Sequence, residues 1–283
     1  MKKFSIIFAL LFIPFLVFAE GSLINHSDSN IKFFLETELG TTGIQYHTIT
    51  IGDAGTADTF NFVTEGGQEI LYPFERFNLG MTIKNHHRIS FLYQPLEVVT
   101  ESVFEEDRTI DGVTFTAGTE MEMTYSFPFY RITYAYDFFA EDNIDLGLGA
   151  ALQLRNASII FKQLNGEQMT VSQNLGLVPA LNFIGAYRFN NRFYLSTDIT
   201  GSYASSAFFN GADFEFAGSL LDASLRTGYT LKNNIDLFLN LRFIGGSASG
   251  TSGYDRNNWT DSDSPTTSNY LATTNLSFGL TVR

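Results

Sequence analysis

Ile235-Asp236-Leu237-Phe238-Leu239-Asn240-Leu241-Arg242-Phe243 is the stretch that decides the fold. Ile235, Leu237, Leu239, Leu241 and Phe243 share one face of an extended chain, opposed by Asp236, Asn240 and Arg242. A period of two marks a strand with one apolar and one polar side. The pattern returns near the end of the chain, where Tyr270, Leu276, Phe278, Leu280 and Val282 oppose Asn275, Ser277 and Thr281. It returns again where Ile144, Leu146, Leu148, Leu152 and Leu154 oppose Asp145, Gln153 and Arg155. Helical periodicity is absent. Lipid outside and a polar interior explain the alternation, because a closed sheet satisfies every backbone group without water.

Working outward, ten such segments can be drawn, at about 31–50, 68–84, 88–101, 119–138, 144–161, 170–189, 192–205, 214–231, 234–249 and 268–283. Each exceeds the ~9–11 residues a strand needs to cross a bilayer. Tight turns at Lys84–His87, Ala140–Asn143, Asn190–Asn191 and Lys232–Asn234 alternate with long polar loops. Short turns on one rim and long loops on the other are expected of an all-β, antiparallel transmembrane barrel in a bacterial outer membrane. The reading is ten strands with both termini periplasmic; eight or twelve follow if the first or last segments are drawn differently.

Aromatic residues gather beside the short turns: Tyr134, Tyr136 and Phe138 before one, Tyr187, Phe189 and Phe193 around another, and Tyr229 before a third. Such rings favour the headgroup level, wet at one end and apolar at the other. In the fourth and fifth segments the apolar residues change parity near Phe129 and Arg155, moving to Met121, Met123, Tyr125 and Phe127, and to Ile159 and Phe161. Either a β-bulge at Pro128 shifts the phase, or these strands rise beyond the membrane and pack on a neighbouring loop.

Residues 1–19 read as a secretory signal: Lys2 and Lys3, an apolar run Phe4–Phe18, and Val17-Phe18-Ala19 before a cut at Glu20. The competing reading is an uncleaved anchor, but the run is short of the roughly 20 residues of a spanning helix. Residues 20–30 then form a short periplasmic segment, and 31–283 the barrel. With no cysteine in the chain, lipoprotein anchoring, disulfides and thiol chemistry are excluded. A soluble all-β domain fits poorly. Phe and Tyr are abundant, while Lys and Arg total only 17 for a surface that would face water.

By parity, Arg76, Arg131, Arg155, Arg188, Arg226 and Arg242 point into the lumen, with Glu36, Glu38, Asp145, Asp198, Asp222 and Asp236. Charges inside a membrane protein suggest function. In a narrow barrel they also suggest a self-neutralising ladder of ion pairs that fills the interior. The long loops are acidic. Asp53, Asp58, Glu65 and Glu69 lie in one, and Glu101, Glu105, Glu106, Asp107, Asp111, Glu120 and Glu122 with Arg108 in the next. Asp255, Asp261 and Asp263 with Arg256 lie in the last. An acidic rim argues against nucleic acid; it permits divalent cations or a basic partner, and loops kept soluble by solvated charge are the favoured explanation.

Little points to chemistry. Of the four histidines, His86 and His87 fall in a periplasmic turn. His26-Ser27-Asp28 is too local for a triad, so His47, near the outer end of the first strand, is the one candidate base. The omptin proteases, also ten-stranded, use acidic pairs with histidine at the loop rim, but the rim acids here have no distinguishing spacing. No cofactor or metal site is expected: the last loop's aspartates lack calcium-loop spacing. Gly245-Gly246-Ser247-Ala248-Ser249-Gly250 has no following lysine or helix, so it reads as a flexible strand end.

Tyr130-Arg131-Ile132-Thr133-Tyr134, Leu146-Gly147-Leu148-Gly149 leading to Arg155-Asn156-Ala157, and Leu175-Gly176-Leu177-Val178-Pro179 recur in order with Ala186-Tyr187-Arg188-Phe189 and Leu241-Arg242-Phe243 before Gly245-Gly246. From about Phe77 to Gly250 the chain thereby resembles a widespread family of uncharacterised bacterial outer-membrane barrel proteins. The resemblance implies location and fold and transfers no activity. The ending departs from the usual assembly signal, with Phe278 inside and Val282-Arg283 last. Outer-membrane lipid and the barrel-assembly machinery are the expected partners. The expected role is non-enzymatic: binding, or porin-like passage of a small solute through a narrow arginine- and carboxylate-lined lumen. The alternatives are a surface interaction protein acting through its acidic loops and, disfavoured, a lipid-modifying enzyme.

Overall fold

Chain segments that are apolar on alternate residues leave their backbone polar groups to one another, and here they close a circle. The computed structural model describes residues 30–52, 57–139, 143–189, 192–205, 216–232, 234–251 and 266–283. The signal segment, His26-Ser27-Asp28, Asp53 and the aspartates of the last loop lie outside them. Fifteen strands follow in order: β1 (Ile31–Gly52), β2 (Thr59–Asn61), β3 (Leu71–Ile83), β4 (His87–Gln94), β5 (Glu97–Val103), β6 (Arg108–Ile110), β7 (Val113–Phe115), β8 (Glu120–Ser126), β9 (Phe129–Asp137), β10 (Ile144–Gln163), β11 (Met169–Arg188), β12 (Phe193–Ser205), β13 (Phe216–Lys232), β14 (Ile235–Thr251) and β15 (Thr266–Val282). Ten of them, β1-β3-β4-β9-β10-β11-β12-β13-β14-β15, pair antiparallel with their neighbours, and β15 pairs β1 to complete the barrel.

The outer surface is apolar. Leu39, Leu79, Ile132, Leu148, Leu181, Leu239 and Leu276 are each more than half exposed, a band that only hydrocarbon can cover. Tyr134, Tyr136, Phe138, Tyr187, Phe189 and Phe193 ring its lower edge, all outward. The β3–β4 turn shows why that edge is tight. Lys84 and Asn85 take positive φ (52° and 62°) and His86 N–H bonds the Ile83 carbonyl, the mirror-image turn that matches strand twist.

Two of the expected strands are broken, at Pro95-Leu96 and at Phe127-Pro128. Above the breaks β5 and β8 form a hairpin, and β10 exchanges its partner from β9 (Gly147–Arg155) to β8 (Ser158–Gln163). The expected phase shift does not occur in either strand. Odd residues face inward throughout: Arg131, Ala135 and Asp137 on β9, Met121, Met123 and Tyr125 on β8, and Gln153, Ile159 and Phe161 on β10. What changes is the interior itself, charged below and apolar above.

The bulge is in β1 instead. Its register against β15 slips between Ile44 and Tyr46. Inward positions therefore pass from Glu36, Glu38, Thr42 and Ile44 to His47, Ile49 and Ile51. Ile49 and Ile51 join Phe60, Phe62, Phe104, Ile110, Phe115, Met121, Met123, Ile159 and Phe161 in an apolar core beyond the membrane. Three of these come from the loop between β5 and β8, so the acidic loop is a packed element. Its tip is a hairpin of β6 and β7 turned by Asp111 and Gly112, both at positive φ. Thr109 N–H bonds Asp58 at 2.6 Å and Arg108 pairs with Glu65 at 2.6 Å, which ties the loop to the one before it.

Candidate functional site

Each strand passing through the membrane presents alternate side chains to the lumen, and at mid-height those side chains are ionic. Glu36 and Glu38 come from β1, Arg76 from β3, Arg131 from β9, Asp222 and Arg226 from β13, and Arg242 from β14. All are less than a tenth exposed, Glu38, Asp222 and Arg242 at 1%. Asp222 takes three guanidiniums: Arg131 at 2.8 Å, Arg76 at 3.2 Å, and Arg242. Glu38 takes Arg226 at 2.8 Å, Arg242 at 3.3 Å and Arg76 at 3.9 Å. Its second oxygen accepts from Asn240 at 2.6 Å and Ser277 at 2.8 Å. Arg226 also donates to Glu36 at 2.8 Å.

Neutral amides complete the layer. Gln153 accepts twice from Arg131, at 2.9 and 2.7 Å, and Gln94 accepts from Arg76 at 2.6 Å. Asp198, half-buried on β12, accepts from Asn182 at 2.9 Å. Four guanidiniums thus meet three carboxylates across the lumen, with Asp198 as a fourth acid held by an amide. Burial at this depth demands pairing, since an uncompensated charge would carry a desolvation cost of several kcal/mol. Beneath the layer a cavity of about 20 Å³ remains between Arg76, Asn78, Arg131 and Asn182, room for about one water.

The other lumen residues lie towards the periplasmic end. Arg188 grips Asp145 through two bonds of 3.2 and 2.9 Å, both side chains about a third exposed. Asp236 accepts from Thr230 at 2.7 Å and from Arg283. The Arg155 side chain lies outside the described residues.

Above the ionic layer the interior divides. On the side of β1, β8 and β10 it is the apolar core, which encloses His47 completely. Its ring stacks on Phe62 at 4.3 Å and meets Tyr125 edge-on at 4.2 Å, and Nδ1 bonds Gln68 at 2.7 Å. The candidate base therefore has no solvent face. On the side of β11 to β14 lies a cavity of about 320 Å³. Its walls carry Ala157, Val178, Ala204, Gly246 and Ala248, and among the described residues no charged side chain lines it. Leu220 and Ile244, one inward step above Asp222 and Arg242 on the same strands, separate it from the ions.

Sequence reasoning missed this cavity. The run Gly245–Gly250 is the paired outer end of β14, not a loose end, and its small inward residues make the space. The available signal was that β11, β12, β13 and β14 all carry small residues at their outer ends. Gln153 and Asn240 stood on the polar face by alternation but were not counted among the lumen residues, and Gln94 and Asn182 were missed because only charged residues were carried into that set. Among the described residues, no group of three acids or histidines converges to hold a metal.

No family model matches the chain, and no curated protein matches it. Among solved structures it is similar to the outer membrane protease OmpT from Escherichia coli, with a TM-score of 0.56 and 13% identity over 88% of this chain and 96% of that one. Two further matches have TM-scores of 0.33 and 0.32: the toluene transporter TodX of Pseudomonas putida (9% identity, 93% of each chain) and OprG of Pseudomonas aeruginosa (13% identity, 88% and 96%). At 13% identity the likeness to OmpT is one of fold alone. The chain is an integral outer-membrane β-barrel of ten antiparallel strands.

Proposed function

We propose that this barrel is a non-enzymatic binding protein for a small uncharged molecule, with its site in the outer cavity and its lumen closed beneath. The observation that carries this reading is a cavity of about 320 Å³, with no charged side chain among its described lining, resting on a buried layer of paired ions. Its size falls within the roughly 300–1,000 Å³ of small-molecule pockets. An open pore would leave its arginines hydrated; here Arg131 and Arg242 are spent on Asp222. Catalysis has less support, because His47 is sealed in the apolar core. Kinship with the widespread family of uncharacterised barrels belongs to the same proposal. The exposed rim acids Glu101, Glu105 and Glu106 remain open to divalent cations or a basic partner.

Two measurements test it. Retention of radiolabelled naphthalene by the refolded barrel in lipid nanodiscs should exceed that of empty discs, and Ala248→Phe, which fills the cavity, should abolish the excess. Equal retention by the two proteins removes the binding reading. In a planar bilayer the wild-type barrel should stay silent. Arg242→Ala should show discrete steps that prefer cations, because the four carboxylates of the layer, Glu36, Glu38, Asp198 and Asp222, then outnumber its three remaining arginines, Arg76, Arg131 and Arg226. Conductance steps from the wild type would sink the closed lumen and restore passage along the arginines.

A further inference from the structure

One inward arginine stands outside the ionic layer and its pairing. Arg88, on β4, shares an inward face with Ser90, Leu92 and Gln94. Its cross-strand neighbour Ala135 is 1% exposed, which fixes that face as the lumen. The guanidinium lies over the Phe34 ring at 4.6 Å. Among the described residues no carboxylate forms an ion pair with it. Each other inward arginine whose side chain is described has a carboxylate. Asp222 serves Arg76 and Arg131, Glu38 serves Arg226 and Arg242, and Asp145 serves Arg188.

Arg88 faces the small cavity beneath the layer. That space of about 20 Å³ is lined by three guanidinium side chains, Arg76, Arg88 and Arg131, and by a single acid, Asp198. Asp198 already accepts from Asn182 at 2.9 Å. Hydroxyls of Ser90, Thr133 and Thr200 complete the wall. Two buried groups of the lining are unused. Arg76 Nε, on a side chain 4% exposed, has no hydrogen-bond acceptor and stands 3.9 Å from Glu38. The Asn78 carboxamide, 8% exposed, has no partner for its oxygen, and half a turn about χ2 brings its N–H groups to the same place. A donor buried without an acceptor is costly.

We propose that the space between Arg76, Arg88 and Asn78 binds one halide ion, of which chloride is the common case. Charge selects an anion, because the lining carries three cations against one acid. Size selects a monatomic one. The cavity holds a body little larger than a water molecule and excludes phosphates and carboxylate metabolites. A halide also accepts from several donors at once without directional demand, which suits groups arriving from β3, β4 and β9. The ionic layer closes the space above, and Arg88 is half-buried near the β3–β4 turn, so the ion enters from the periplasm. This site lies across the ionic layer from the outer cavity and stands whether or not that cavity binds a molecule. Since the ion binds the folded barrel and matches Arg88, it stabilises the fold by mass action.

The test is chloride NMR line width, measured on the refolded barrel in a zwitterionic detergent prepared free of chloride and titrated with sodium chloride. Fold is checked by heat-modifiable gel mobility. The wild type should broaden the line beyond detergent alone at millimolar salt, and sodium bromide should compete the excess away. Arg88→Gln removes the unmatched charge and should lose the excess. Asn78→Asp sets a fixed carboxylate in the ion's place and should lose it as well. Urea titration in sodium chloride against sodium gluconate, at equal ionic strength, separates replacement of the ion from damage. The wild type should unfold at higher urea in chloride, whereas Asn78→Asp should reach that value in both salts. Absence of excess broadening from the wild type overturns the site. So does broadening seen only at molar salt, which is binding at high concentration only. Excess broadening kept by either folded variant would place the ion elsewhere on the protein and overturn it too. None of these outcomes bears on naphthalene retention in the outer cavity, so the two readings fail separately.

Discussion

Asp222→Ala is expected to destabilise the barrel by about 3–5 kcal/mol, the cost typical of stranding one side of a buried ion pair. The carboxylate is 1% exposed and serves Arg76, Arg131 and Arg242 together, so its loss leaves three guanidiniums in a region that cannot hydrate them. Urea titration of the refolded barrel, read by gel mobility, checks the figure. Asp145→Ala is the control. Its partner Arg188 is about a third exposed at the periplasmic end, where water can take over, and the expected cost is under about 1 kcal/mol. Similar losses in the two variants would mean that water reaches the ionic layer, and the closed lumen would fail with it. Asp222→Asn should fall between them, since the amide keeps one acceptor while removing the charge.

Phe161→Ala should cost about 3–5 kcal/mol as well, but in a different place. The ring is fully buried and packs against Phe60 at 5.1 Å and Phe62 at 5.4 Å, above the level of the bilayer. Its removal opens a void in the core that holds the two acidic loops, while the strands in lipid keep their contacts. Limited proteolysis of intact cells or proteoliposomes should then cut within residues 57–69 or 104–119, and the barrel should still migrate as folded. Unfolding of the whole barrel by this change would show that core and membrane span form one cooperative unit. A protease pattern identical to the wild type would mean that the loops are held by something other than this core.

The strands were legible because lipid imposes a rule that reads directly in sequence: every second residue apolar, over lengths set by the bilayer. The β3–β4 turn followed from the same rule, while the turns expected at 140–143, 190–191 and 232–234 fall at least partly outside the described residues. The same alternation turns Glu36, Glu38, Arg76, Arg131, Asp222, Arg226 and Arg242 inward. Partner choice was not legible. Arg226 finds Glu36 across 190 positions of sequence because the strands are staggered around the barrel, and stagger leaves no local mark. The change of parity near Phe129 and Arg155 was visible, but two structures produce it. Strand alternation cannot tell a bulge from an interior that turns apolar beyond the membrane. The real bulge, at Gln45, sits in Thr41-Thr42-Gly43-Ile44-Gln45-Tyr46, where mixed polarity hides the extra residue. His47 looked like a rim residue for the same reason: one inserted position carried it inside. The cavity escaped notice because small residues read as looseness when only one strand is considered. It takes four adjacent strand ends to see that their smallness encloses space.

The pairing of β1 with β15, from Leu35↔Val282 to Gly52↔Thr266, also sets a timetable. Closing the sheet joins segments at opposite ends of the chain, and contacts so distant in sequence form late and slowly. Until then β1 has an open edge, and Glu38 lacks Ser277, which arrives only with the last strand. Arg226 and Asn240, on the strands just before it, reach Glu38 across a lumen that is not yet walled. Until closure Glu38 has only Arg76, its cross-strand neighbour on β3, beside it. An unfinished barrel would hold a partly matched charge at its seam, a penalty that discourages insertion into lipid before the final strand is in place.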